Sequence, residues 1–209
     1  MISADEGGVA GWAVGLMDTL GGPGAGLAIA LENLFPPLPS EVILPLAGFA
    51  ASRGELSLAG ALGWTTLGSV VGALVLYVLG AAFGRDRVRA VAARLPLIDM
   101  ADIDRTERWF ARHGGKAVLL GRMIPIFRSL ISLPAGAARM PVGRFLLYTT
   151  AGSLLWNTVF VLAGYQLGEN WAVVERYAGV LQKVVIVVVA AAVVWFVAGR
   201  LRRWRKLVP

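Results

Sequence analysis

At 209 residues, with 57% apolar side chains, 16% charged residues and a mean hydropathy of +0.69, the chain is too apolar for an ordinary soluble domain, which carries about 25% charge. Its net charge of +7 does not mark a nucleic-acid partner, because the basic residues cluster beside apolar runs instead of covering a polar face. The absence of cysteine excludes disulfides, thiolate metal sites and a cysteine nucleophile.

Residues 1–22 open with Asp5 and Glu6 and have no basic n-region, so a retained start is expected and not a cleaved signal peptide. Residues 8–20 fit an interfacial helix anchored by Trp12, or equally the beginning of a tilted span interrupted at Gly21-Gly22-Pro23-Gly24.

The next segment, roughly 24–52, carries Glu32-Asn33-Leu34-Phe35-Pro36-Pro37-Leu38-Pro39-Ser40-Glu41 and then Pro45. Proline removes a donor and clashes with the preceding turn, so this cluster predicts a broken segment and not one helix. Arg53-Gly54-Glu55 closes it, and Glu55 reads as a loop charge. From Leu56 to Gly84 no residue is charged, which exceeds the roughly 20 residues a spanning helix needs.

Eight of the 20 lysines and arginines fall between Arg85 and Lys116. Inside that connector, Asp99 to His113 places Met100, Ile103, Trp109 and Phe110 among charges and predicts an amphipathic surface helix, with His113, the single histidine, at its interfacial end. A second broken segment, roughly 117–140, contains Gly121-Arg122-Met123-Ile124-Pro125-Ile126-Phe127-Arg128 and Pro134, and ends at Arg139 and Arg144. Phe145 to Gly168 is again uncharged, and Tyr177 to Gly199 holds only Lys183, near enough to its end to snorkel. The tail, 200–209, has five more basic residues. Positive-inside placement puts 85–116 and the C-terminus in the cytoplasm, and the two crossings between them make these placements agree. The same charges are suited to anionic lipid headgroups at that face.

A repeat underlies this order. Trp64-Thr65-Thr66-Leu67-Gly68-Ser69 recurs as Tyr148-Thr149-Thr150-Ala151-Gly152-Ser153 at an offset of 84, as do Gly80 and Gly84 in Gly164 and Gly168. Upstream, Pro37 matches Pro125 and Ala47-Gly48 matches Ala135-Gly136 at an offset of 88. The expected fold is therefore an all-α polytopic membrane protein, a single membrane domain over 1–209. It comprises repeat 1 (23–84) and repeat 2 (117–168), each a proline-broken re-entrant hairpin plus a transmembrane helix. The cytoplasmic connector, an added C-terminal transmembrane helix at 177–199 and the basic tail complete it. Since irregular backbone is tolerated at membrane depth only inside protein or water, and the hairpins open to opposite sides, the units have inverted topology and their breaks meet at the repeat interface.

That arrangement would bring Glu32 and Glu41 against Arg122 and Arg128. Ionisable groups at membrane depth are read as functional by default, and the arginine fork matches phosphate oxygens. The alternative is a structural ion-pair cluster holding the hairpins together. Arg139 and Arg144 are candidate secondary contacts or interfacial topology residues. Asn157 needs a polar partner on a neighbouring helix and is a second candidate contact. The Gly-x3-Gly pairs at Gly68, Gly80 and Gly164 allow packing within the subunit or a homodimer face. One histidine removes an H-E-x-x-H zinc site, and no G-x-S-x-G elbow or P-loop is present, so neither catalysis nor a metal or cofactor is expected.

On these residues the chain resembles the DedA family, also called the SNARE-associated or VTT-domain family. Glu32-Asn33, Pro36-Pro37-x-Pro39-Ser40-Glu41 and Ala47-Gly48 are similar to its first motif. Gly121-Arg122-x2-Pro125-x2-Arg128, Pro134-Ala135-Gly136, Met140, Phe145, Gly152 and Trp156 are similar to its second. The resemblance covers roughly 20–170. It implies a multi-pass cell-membrane protein that moves lipids between leaflets, with proton-dependent undecaprenyl phosphate recycling in some bacterial members. Its acidic pair falls on Glu32 and Glu41 and its arginine pair on Arg122 and Arg128. Ser40-Glu41 departs from members that carry Gly-Asp there. The expected function is a proton-coupled flippase for a lipid phosphate headgroup. A proton-coupled carrier of a small soluble ion and a membrane scaffold or assembly factor are the alternatives.

Overall fold

The computed structural model describes residues 9–35, 38, 40–93, 100–125 and 127–168, and every regular element among them is helical. The elements are α1 (Val9–Leu20), α2 (Gly22–Leu34), α3 (Ser40–Ser52), α4 (Leu58–Ala93), α5 (Met100–Gly121), α6 (Phe127–Leu130), α7 (Ser132–Ala137) and α8 (Val142–Gln166). The expected span at 177–199, the tail at 200–209 and the first eight residues lie outside the described residues. Among the described residues two stretches are long and apolar enough to cross a membrane: Leu58–Gly84, with mean hydropathy 2.0, and Val142–Gln166, with 1.4.

The breaks follow from local chemistry. Pro23 sits in the first turn of α2, where a missing N–H costs nothing. The helix stops before Pro36 because a residue preceding proline is pushed out of the α region, and Phe35 has φ −124° and ψ 82°. Pro45, expected to contribute to the break, instead lies inside α3, so the first interruption is confined to residues 35–39. The second interruption begins after Arg122, whose N–H still bonds the Val118 carbonyl, and passes through turns at Met123 to Pro125 before the short α6 and α7.

One expected boundary moves and one holds. The connector helix does not end near His113 but continues as α5 to Gly121, so its apolar end is the first arm of the second broken segment. The apolar stretch of α4 ends at Gly84, as expected: the backbone leaves helical geometry there, with φ 68° and ψ 166°, and a further helical stretch runs on to Ala93.

Packing repeats as well. A Cβ at Gly48 would overlap the Val161 carbonyl, and one at Gly136 would overlap the Tyr77 carbonyl. Likewise Gly164 abuts the Pro45 carbonyl and Gly80 abuts the Leu133 carbonyl. The partners within each set are related by the offsets of 84 and 88 found in the sequence. Thus α3 lies on α8 and α7 lies on α4, each arm at backbone-to-backbone distance from the long helix of the other half. Such contact is available only where both surfaces lack a Cβ or turn it aside.

One apolar core joins α1, α2 and α3 to α4 and α8 around Ala25, Ile29, Ile43, Leu44 and Val161. The other surrounds Tyr77, Val118, Ala135 and Phe145. In the latter the Tyr77 and Phe145 rings stand 4.6 Å apart, and the Tyr77 hydroxyl donates to the Met140 carbonyl.

Candidate functional site

Glu32 and Asn33 occupy the last turn of α2, Ser40 and Glu41 the first turn of α3, Arg122 the end of α5's hydrogen-bond ladder, Arg128 lies in α6 and Ser132 opens α7. All border one of the two breaks, where helix ends leave backbone groups uncommitted and side chains can cross from one segment to the other.

Three of the four sequence-predicted site residues are drawn inside. Arg122 is 1% exposed, Arg128 2% and Glu32 4%. Arg128 donates Nη2 to Glu32 Oε2 at 3.2 Å and Nη1 to Ser40 Oγ at 3.1 Å. Arg122 donates Nη1 to Asn33 Oδ1 at 3.0 Å and Nη2 to Ser132 Oγ at 2.9 Å. Asn33 in turn donates Nδ2 to Glu32 Oε2 at 3.2 Å and to the Ile29 carbonyl at 3.0 Å. Both arginines therefore tie the second broken segment to the first, and Asn33 joins their two sets of bonds into one network. Close packing makes room for this: a Cβ at Gly152 of α8 would stand 2.8 Å from the Arg122 Cβ.

Glu41 is placed differently. It is half-buried and has no hydrogen bond or ion pair among the described residues, yet it is near enough to Glu32 for the two charges to repel. Arg122 and Arg128 repel each other in the same way.

The network leaves donors over. The Nε groups of both arginines and the Trp156 indole nitrogen are buried without a hydrogen-bond partner among the described residues, and the Arg128 guanidinium lies 6.0 Å from the Trp156 ring centroid. Buried donors normally find acceptors, so three N–H groups in this neighbourhood suit an anionic oxygen.

The secondary candidates lie elsewhere. Asn157 is fully buried in α8 and donates Nδ2 to Thr66 Oγ1 and Ser69 Oγ of α4, both at 3.4 Å, which is the inter-helix partnership its position requires. Glu55 is exposed and pairs with Arg53 at 3.3 Å. Arg139 and Arg144 are exposed and line a separate cavity with His113 and Lys116. Asn33, Ser40 and Trp156 are motif positions whose contacts the sequence does not reveal, and Ser132 belongs to neither motif. Their one signal was a small polar or indole group inside an otherwise apolar, broken run.

Comparison with known proteins identifies the family. The VTT domain family matches residues 38–166. An alkaline phosphatase-like protein of Lactococcus lactis subsp. cremoris is 43% identical over 190 residues, covering 89% of this chain and 87% of its own length. Proteins named undecaprenyl phosphate transporter A are 34% identical in Bacillus subtilis, over 83% of this chain and 86% of the relative, and 31% identical in Staphylococcus aureus, over 81% and 85%. No solved structure matches the chain. With a domain match over more than half its length, two helices of membrane-spanning length and relatives covered nearly end to end, the chain belongs to the VTT-domain, or DedA, family of membrane proteins.

Proposed function

We propose that this protein is a flippase, and not an enzyme, that moves a phosphate-bearing lipid such as undecaprenyl phosphate between leaflets with proton coupling. The observation that carries this reading is the Arg128–Glu32 pair, in which a buried guanidinium is held by a carboxylate while its Nε, and that of Arg122, remain uncommitted. A phosphate monoester, with about −1.5 to −2 charge near neutral pH, offers more acceptor oxygens than one carboxylate and competes for the same fork. When phosphate takes Arg128, Glu32 loses its partner and becomes the group that exchanges a proton, with Glu41 as its neighbour on the exposed side. The lipid tail stays in the bilayer throughout. The names of the two transporter relatives support the same substrate class.

In this reading the paired contacts of α3 with α8 and α7 with α4 belong to two inverted repeats, 23–84 and 117–168, whose breaks are re-entrant hairpins meeting at membrane depth. The connector 85–116 and the C-terminal tail face the cytoplasm and its anionic lipids, in the cell membrane. Gly68, Gly80 and Gly164 pack against the chain itself, so a homodimer would use another surface.

The test is translocation of a lipid phosphate in liposomes by protein that remains folded. Glu41→Gln and Arg128→Ala are expected to abolish it, and unchanged transport in both would sink the proposal.

A further inference from the structure

A cavity of about 650 Å³ opens between the second half of α5 and the junction of α7 with α8, away from the Arg122 and Arg128 network. Its size falls in the roughly 300–1,000 Å³ range of ligand sites. Arg112, His113, Lys116, Arg139 and Arg144 line it, and among the described residues no carboxylate does. The N-terminus of α8 stands at its rim with no acidic residue in the first turn and no side-chain cap, so the helix dipole adds to the positive field there.

The backbone gives an independent sign that a cation is wanted at Arg139. After α3, the Gly54 N–H bonds the Ala51 carbonyl and the Glu55 N–H bonds the Ala50 carbonyl; after α7, the Arg139 N–H bonds the Gly136 carbonyl and the Met140 N–H bonds the Ala135 carbonyl. These are the same helix-ending motif, which calls for a left-handed residue that is usually glycine. The first corner has Gly54 at φ 79°, and the second has Arg139 at φ 50°. At the first corner Arg53 is neutralised by Glu55. At the second, an arginine occupies a position its own backbone disfavours, and it faces the cavity.

The cavity wall carries a similar cost. Gly114 and Gly115 lie inside α5, where glycine is the poorest helix former after proline. A Cβ on Gly115 would stand 2.4 Å from the Tyr148 ring, another lining residue, and one on Gly114 would stand 3.2 Å from Phe110. Helix propensity is given up where the rings need the space.

We propose that this cavity is a second anion site, which takes a phosphate group carried either by an anionic lipid headgroup or by a soluble phosphate compound. It shares no residue with the Arg122 and Arg128 network, and it stands whether or not the transport reading does.

The test uses the full chain in neutral detergent at low salt, titrated calorimetrically with dihexanoyl phosphatidic acid, with inorganic pyrophosphate and with dihexanoyl phosphatidylcholine. Phosphatidic acid is expected to bind and phosphatidylcholine is not. Loss of a charge-assisted contact in Arg139→Gly or Arg144→Gln should weaken binding about tenfold. Arg139→Gly should also keep or raise the thermal midpoint, since glycine suits that corner. Arg53→Gln, an exposed position at the first corner and outside both sites, should bind as the unmodified protein does. Pyrophosphate binding as tightly as phosphatidic acid would identify the soluble source, and binding of phosphatidic acid alone would identify the lipid. The proposal is overturned if neither anion binds, if both cavity variants bind normally, or if Arg53→Gln weakens binding as much as Arg144→Gln does.

Discussion

Arg128 reaches Glu32 across 96 residues of sequence, at 3.2 Å and with both side chains nearly inaccessible. The pair joins the four-residue α6 to the end of a helix in the opposite half, so its loss bears on the assembly as well as on any ligand.

Arg128→Ala is expected to destabilise the protein by about 3–5 kcal/mol, since it strands a buried carboxylate. The double variant Glu32→Gln with Arg128→Ala should recover most of that loss, because neither charge then lacks a partner. Thermal unfolding of the two singles and the double in detergent measures the coupling. Additive effects would show that the pair is not a stabilising unit.

Arg122→Lys keeps the charge and removes the fork that spans Asn33 and Ser132. A single ammonium cannot hold both acceptors in the same planar geometry, so transport of a lipid phosphate should fall about tenfold or more while the protein still folds. Retained transport would mean that charge alone is needed at this position.

Gly48→Ala and Gly136→Ala each push a methyl group into the carbonyl of a facing long helix. Each should cost about 1–3 kcal/mol, in the range of core overpacking, and the two costs should be similar because the contacts correspond. A large effect at one position and none at the other, in unfolding midpoints, would contradict that correspondence.

Gly54 has no neighbour that a Cβ would strike, so its requirement is conformational. Gly54→Ala should cost about 1 kcal/mol for the left-handed backbone, and Gly54→Asn distinctly less, since asparagine visits that region more readily. Equal midpoints for the two variants would remove the conformational explanation.

Much of this was legible in the chain. Pro36 marks where α2 must stop, the uncharged runs mark the two membrane-length helices, and opposite charges beside the breaks point to one another once the repeat is seen. Other features were not legible, for physical reasons. Pro45 looks like part of the break, yet α3 carries it because tertiary contact with α8 holds the helix around it. The end of α5 looked separate from the amphipathic connector because polarity changes near Lys116, and a helix ladder is indifferent to that change. Asn33, Ser40 and Ser132 gave little warning because a small polar side chain reads alike whether it caps a helix, faces solvent or holds a guanidinium. Arg139 was visible only as a charge, since a backbone angle cannot be read from composition.

The exchange of arms between the halves, α3 against α8 and α7 against α4, also bears on ancestry and on dissection. Neither half can cover its own glycine-lined arm, so a single half made alone would behave as one member of an unfinished pair and would have to borrow the missing surface from a second molecule. A gene severed within 94–99 should accordingly yield two fragments that are each recovered poorly and that rescue one another when made together.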